Sequence, residues 1–135
     1  MTEYVYAKNE YFMTLRNDKV NLRQGPSFEY PIKLFYKKKF LPVLIQDSSY
    51  NFKKIRDHEN NTGWIHRSQL SKKKAAIVIA PDLIMFKSPT IYSHPVVIIK
   101  KGRLVKIIKC KSGWCKVSSD EFKGWIKNKN LWGLF

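Results

Sequence analysis

The chain has 135 residues, 44% of them hydrophobic and 14% aromatic, a composition too apolar for a disordered polypeptide. It has no apolar run of about 18 residues, the length a bilayer-spanning helix needs. Lysine and arginine number 26 against 10 aspartate and glutamate, a formal net charge of +16, which directs attention to anionic partners and away from cationic ones.

In chain order, residues 1–11 place Tyr4, Tyr6 and Tyr11 on no consistent period and read as an N-terminal arm or a short added strand. The opening Met1-Thr2-Glu3-Tyr4-Val5-Tyr6 has neither the basic start nor the apolar stretch of about 7–15 residues that an export signal carries. Either the protein is made for the cytoplasm, or Met1 stands where an export signal has been removed.

A first module is expected over residues 12–71. Asp18-Lys19-Val20-Asn21-Leu22-Arg23 alternates polar and apolar as a half-buried strand does, and Gly25-Pro26 marks a turn. A long loop with Phe28, Tyr30 and Pro31 follows. Ile32-Lys33-Leu34-Phe35-Tyr36 and Phe40-Leu41-Pro42-Val43-Leu44-Ile45 read as strands on either side of the basic turn Lys37-Lys38-Lys39. Asn51-Phe52-Lys53-Lys54-Ile55-Arg56 is the next strand, and the polar loop Asp57 to Thr62 leads into Gly63-Trp64-Ile65-His66. Ser68-Gln69-Leu70 is a short closing helical turn. Five short strands with turn signals at this spacing predict a small all-β barrel.

Lys72-Lys73-Lys74 is the boundary, and residues 72–135 form the second module. Its opening Ala75-Ala76-Ile77-Val78-Ile79-Ala80 is more apolar than an exposed edge strand. It therefore either pairs with the first module or lies in the contact between the two, which predicts a fixed two-lobed body.

The second module repeats the first. Gly63-Trp64-Ile65-His66 with Leu70 returns as Gly124-Trp125-Ile126-Lys127 with Leu131, each at a separation of 61 residues. Upstream, Val20 to Ser27 aligns with Ile84 to Thr90, Tyr30-Pro31-Ile32 with His94-Pro95-Val96, and Phe52-Lys53-Lys54-Ile55 with Trp114-Cys115-Lys116-Val117. This period exceeds those of solenoids and propellers, so tandem domains are the simplest reading.

Cys110 and Cys115 enclose Lys111-Ser112-Gly113-Trp114, between two segments that read as strands joined by a turn. A disulfide is within reach if the two side chains share a face, and it would mean an oxidising compartment. Two free thiols at a strand end are the alternative. A zinc site is excluded, because His94 and the other histidines lack metal-ligand spacing.

The pattern Val20-Asn21-Leu22-Arg23-x-Gly25-Pro26-Ser27, then Tyr30-Pro31, a lysine-rich turn, an aromatic-x-Lys-Ile strand and Gly63-Trp64-Ile65-His66-x-x-x-Leu70-Ser71 resembles the bacterial SH3-like domain. With Gly113-Trp114-Cys115-Lys116-Val117 and Gly124-Trp125-Ile126 leading to Leu131-Trp132-Gly133, nearly the whole chain resembles a two-module alphaproteobacterial type. The resemblance implies two tandem SH3-like barrels packed together and an exported, envelope-associated binding or scaffold role, with peptidoglycan or peptide ligands known for some relatives. The second copy has Met85-Phe86-Lys87-Ser88-Pro89-Thr90 in place of the Asn-Leu-Arg-x-Gly-Pro signature, which weakens the case for a groove there.

The residues give a catalytic reading little to stand on. His58, His66 and His94 sit in no context that positions a nucleophile or metal, and Asp57, Glu59, Asp120 and Glu121 form no evident acid/base pair. A cysteine nucleophile would need a base and a substrate-binding domain for which the chain has no room. We expect no enzyme and no cofactor. His66 merits inspection, since it adjoins the repeated tryptophan.

Charge and aromatic residues remain. Residues 1–71 carry 12 basic and 7 acidic side chains, net +5, and residues 72–135 carry 14 and 3, net +11. Lys37-Lys38-Lys39 and Lys100-Lys101-Gly102-Arg103 fall at equivalent turns, and Lys72-Lys73-Lys74 lies between the modules, so the three are expected to define one basic side. Phe28, Tyr30, Tyr50, Trp64 and Tyr92 are candidates to line a groove for an extended peptide. Core packing is the preferred reading for Trp64 and Trp125. The resulting expectation is a periplasmic or secreted module that binds a peptide, a peptidoglycan stem or an envelope protein, with an anionic polymer as a further ligand. The alternative is a cytoplasmic nucleic-acid binder whose aromatics stack on bases.

Overall fold

The computed structural model describes residues 9–134. The expected arm lies mostly outside these residues, and its last member, Tyr11, already opens a strand. The first seven strands are β1 (Tyr11–Leu15), β2 (Val20–Arg23), β3 (Ile32–Tyr36), β4 (Pro42–Ser49), β5 (Phe52–Arg56), β6 (Thr62–His66) and β7 (Leu70–Ser71). A 3-10 turn, Arg67–Gln69, precedes β7. The next seven are β8 (Ala75–Val78), β9 (Asp82–Phe86), β10 (Pro95–Lys100), β11 (Leu104–Lys111), β12 (Trp114–Ser119), β13 (Phe122–Lys127) and β14 (Leu131–Trp132). Each set makes one sheet, in the orders β3-β2-β6-β5-β4-β1-β7 and β10-β9-β13-β12-β11-β8-β14. The fold is all-β, two SH3-like barrels in tandem.

Strand alternation builds each core. Val20 and Leu22 of β2 and Ile65 of β6 point inward with Leu15, Val43, Ile45 and Ile55, while Asn21, Arg23, Trp64 and His66 stay half-exposed on the other face. The repeated glycine stands where two strands cross. A Cβ on Gly63 would lie 2.8 Å from the Arg23 carbonyl oxygen, and one on Gly124 would lie 2.7 Å from that of Phe86. Only glycine admits that approach.

These crossings also correct the alignment of the two copies. Arg23 is the ladder partner of Trp64, and Phe86 that of Trp125. The β2 and β9 segments therefore correspond at an offset of 63, Leu22 to Met85 and Arg23 to Phe86, one residue from the sequence alignment. The loop confirms it, since the Glu29 amide donates to Ser27 Oγ at 3.1 Å and the Tyr92 amide to Thr90 Oγ1 at 3.3 Å. Tyr92 thus occupies the place of Glu29, and Ser93, not His94, that of Tyr30. The shared prolines, Pro31 and Pro95, are one residue out of this register, in which the Gln24 amide bonds the Pro31 carbonyl and the Lys87 amide that of His94.

The apolar run Ala75–Val78 is wholly buried. It pairs with β11 and β14 of its own sheet, not with the first module. Its alternate side chains face opposite ways: Ile77 belongs to the first core and Ala76 and Val78 to the second. β8 is therefore a shared wall, and the barrels pack as one body. Phe12 and Trp132 meet edge to face at 4.9 Å across the same junction, and Thr14 Oγ1 donates to the Lys73 carbonyl at 2.8 Å.

Two turns depart from expectation. Phe40 has φ 69° and lies in the turn before β4, not in the strand. The β11–β12 connection is a two-residue turn, Ser112 (φ 49°) and Gly113 (φ 83°), the left-handed pair that matches strand twist in tight hairpins. Cys110 and Cys115 are consequently ladder partners and form a disulfide.

Asp57 caps the β5–β6 hairpin. Its Oδ1 accepts the amides of Glu59 and Asn61, both at 2.9 Å, and its Oδ2 accepts the Tyr36 hydroxyl at 2.8 Å. Burial, and then the bond to this carboxylate, hold the Tyr36 phenol far above its ordinary value of 10.0. Asp57 is thereby committed to the turn.

Candidate functional site

The outer face of the first barrel gathers aromatic side chains from three segments. β5 contributes Phe52, β6 contributes Trp64 and His66, and the loop after β2 lays Phe28 over Phe52 and His66. The Phe28 ring stacks on His66 at 5.2 Å and meets Phe52 edge-on at 5.2 Å, while Phe52 and His66 are 5.1 Å apart. Phe52 is only 5% exposed yet lies outside the barrel core. Its cover is this outer cluster, which leaves Phe28 itself 65% exposed.

Arg23 fixes the loop. Its Nη1 donates to the carbonyl oxygens of Phe28 at 3.1 Å and Tyr30 at 3.0 Å, and its guanidinium lies 5.3 Å from the Phe28 ring centre. Those two bonds use one nitrogen, leaving the rest of the five-donor fork for a carboxylate. The Tyr30 ring lies against Gly25, where any Cβ would collide with it. His66 Nδ1 accepts the Ser68 amide at 3.2 Å, which places the ring proton of a neutral imidazole on Nε2. A recess of ≈ 300 Å³ opens between Arg23, Phe28, Phe52, His66 and Gln69.

Of the expected groove residues, Phe28 and Tyr30 are held in this arrangement. Trp64 shares the face, two positions from His66, half-buried and outside the core. Trp125 is buried, 7% exposed, with Lys109 and Lys111 over its ring at 5.7 and 5.4 Å. The core-packing reading thus holds for the burial of Trp125 and is corrected for Trp64, which period two turns outward and leaves half-buried. Tyr50 and Tyr92 stand apart, 97% and 91% exposed. Tyr50 sits at a hairpin tip with φ 54°.

Phe52, His66 and Arg23 complete the cluster and were not among the expected groove residues. The available signal was register: Phe52 and Trp114 occupy one position in the two copies, each paired with the residue after Gly-Trp-Ile. The second barrel has Phe86 and Trp114 at 5.8 Å with Lys127 over Trp114 at 5.9 Å, and Ile91 where the first has Phe28.

The lysines divide. Lys39 and Lys73 converge on the Phe40 ring at 5.3 and 5.6 Å, joined by Lys106 of β11 at 4.5 Å. Lys38 and Arg103 face each other across a recess of ≈ 250 Å³ beside Lys106. Lys37 lies instead with Lys19 over Phe35, and Lys100 is paired with Asp82 at 2.7 Å. Lys72 and Lys74 line a separate cleft of ≈ 680 Å³ with Lys73, Tyr11 and Phe12. Lys101 is exposed at the β10–β11 turn. Each cluster therefore sends part of itself to the junction between the barrels, Lys38 and Lys39, Lys73 and Arg103, while the remaining members point to other surfaces, because successive residues of a turn point in different directions.

Among the described residues no three His, Cys, Asp or Glu side chains come together as a metal site, and no helix is long and apolar enough to cross a membrane.

No curated protein matches the chain. Among solved structures it is similar to NlpC2 from Trichomonas vaginalis, at 13% identity and a TM-score of 0.42 over 94% of this chain and 49% of that one. NlpC1 from the same organism gives 13% identity and 0.43 over 95% and 47%. An NlpC/P60 family protein from Bacillus cereus ATCC 10987 gives 10% and 0.40 over 90% and 55%. The chain thus spans about half the length of these structures. The bacterial SH3 domain matches it twice, over residues 16–72 and 80–133, and the chain belongs to that family as a tandem pair.

Proposed function

We propose that this protein is a non-catalytic binding or scaffold module of the bacterial envelope, and that the outer face of its first barrel takes a peptide, in particular a peptidoglycan stem. The observation that carries this reading is the exposed Phe28 ring, fixed over Phe52 and His66 by Arg23. An aromatic surface immobilised before the ligand arrives lowers the ordering cost of binding. The free donors of Arg23 suit the carboxylates of a stem peptide. Trp64 extends the strip along β6, and Tyr30 supports the loop from below.

The Cys110–Cys115 disulfide supports an oxidising compartment, periplasmic or extracellular, over the cytoplasmic nucleic-acid reading. The net charge of +16 favours an anionic envelope partner.

Isothermal titration with a synthetic stem pentapeptide, alongside co-sedimentation with purified peptidoglycan, tests the proposal. Phe28→Ala is expected to weaken binding about tenfold or more, as central aromatic anchors do, with a modest loss of thermal stability, since the ring is mostly exposed but covers Phe52. Tyr30→Ala is expected to weaken it less, through loosening of the loop. Unchanged affinity in Phe28→Ala would remove the groove from this face.

A further inference from the structure

A cluster of lysines gathers around Phe40 at the junction between the barrels, apart from the aromatic face of the first. Lys39 comes from the turn before β4, Lys73 from the linker and Lys106 from β11, three segments far apart in sequence. Their ammonium groups all lie within 5.6 Å of the Phe40 ring centre, which places them within about one Debye length of each other, about 10 Å at 0.1 M salt. None of the three has an acidic partner among the described residues. One ring quadrupole attracts a cation, but here three cations share it, so most of their mutual repulsion is left uncompensated. Phe40 is held in a left-handed turn conformation, φ 69°, which non-glycine residues seldom adopt. The adjoining recess adds Lys38 from the first barrel and Arg103 from the second. Its one carboxylate, Asp120, is taken by Arg103 at 2.8 Å.

We infer that this junction binds a linear phosphate-bearing polymer without bases, of the sugar-phosphate or polyol-phosphate class. Several cations spaced around a concave junction match successive charges along a chain. A base-stacking ligand fits less well, because Phe40, the aromatic ring at the centre, is occupied by lysines. A bilayer surface fits less well too, because the recess lies between two barrels. The site exists only when the barrels pack as they do here, since each supplies part of it.

The test uses the full chain and inorganic polyphosphate of about 15 units as probe, titrated at several salt concentrations. The triple variant Lys39→Gln, Lys73→Gln, Lys106→Gln is compared with a charge-matched control, Lys87→Gln, Lys111→Gln, Lys129→Gln, all exposed and none of them lining the junction recess. At about 0.15 M salt the junction triple is expected to lose tenfold or more in affinity and the control less than threefold. The junction triple should also lower the slope of log affinity on log salt by about 2, the share of three phosphate contacts on a single strand. Its affinity for the stem pentapeptide should be unchanged, which separates this site from the aromatic face. Equal losses in the two triples would mean a diffuse field and overturn the proposal. So would tighter binding to duplex DNA or to phosphatidylglycerol vesicles that the junction triple leaves intact.

Discussion

Ile77 offers a direct test of the shared wall, because it belongs to a strand of the second sheet and to the core of the first. Replacing it by alanine deletes three buried carbons from a side chain only 2% exposed. At about 0.8 kcal/mol per buried methylene the transfer term is about 2.4 kcal/mol. The cavity left behind adds about 1–2 kcal/mol if the site relaxes partially. A loss of about 3.4–4.4 kcal/mol should lower the urea midpoint by about 1.7–2.2 M, taking a slope of about 2 kcal/mol/M. Ile79→Ala, two residues on and 45% exposed, is the control, expected to cost about 0.5 kcal/mol or less. Amide exchange then shows where the loss falls. Protection should drop in β2, β5 and β6, in a barrel that does not contain the mutation. If Ile77→Ala costs no more than Ile79→Ala, or if only β9 to β13 lose protection, the shared wall is wrong.

Two further perturbations address single contacts. Tyr36→Phe removes the hydroxyl that Asp57 accepts, at a cost of about 1.5–3 kcal/mol for a bond to a charged group; because the folded phenol is held above its ordinary value of 10.0, wild-type stability is full below pH 10 and declines as pH rises past it, where the unfolded tyrosine ionises and the folded one does not. The gap between wild type and Tyr36→Phe should therefore narrow from pH 9 to 11 in urea titrations, and parallel profiles would contradict the assignment. Cys110→Ser breaks the disulfide at its exposed end, so Cys115 keeps its place in the second core; with a sequence separation of 5, loop entropy gives about 2 kcal/mol, and dithiothreitol on the wild type should reproduce the loss in urea midpoint.

The barrels were legible in the sequence for a physical reason. Gly63 and Gly124 mark the only geometry in which two strands can cross so closely, and the tryptophan and isoleucine beside them follow from that crossing. Strand alternation in Asp18 to Arg23 gave one face of the core directly. The site was less legible, since the argument from neighbouring apolar residues put Trp64 inside, whereas period two puts it outside with His66. Phe52 looked like an ordinary strand aromatic until the ladder placed it opposite His66. The convergence on Phe40 depends on how the barrels meet, and no local pattern in residues 37–39 or 72–74 carries that information.

The two copies have diverged mostly on the outer face, although inside Cys115 of the second core stands where the first copy has Lys53. Other inward positions keep their character, as Leu22 and Met85 or Ile65 and Ile126 do, because any change there is opposed by the packing of a small barrel with little stability to spare. Outward positions are free of that constraint: Arg23 becomes Phe86, Phe28 becomes Ile91, Phe52 becomes Trp114 and His66 becomes Lys127. The loop-fixing arginine is lost in the second copy, and with it the two bonds to the loop carbonyls. The peptide site proposed above is therefore confined to the first barrel. Its retained duties are the ones the geometry gives it: β8 completes the first core through Ile77, and Lys106 and Arg103 complete the junction. Separating the modules would therefore cost both stability and the basic site, even if the aromatic face of the first barrel were left chemically intact.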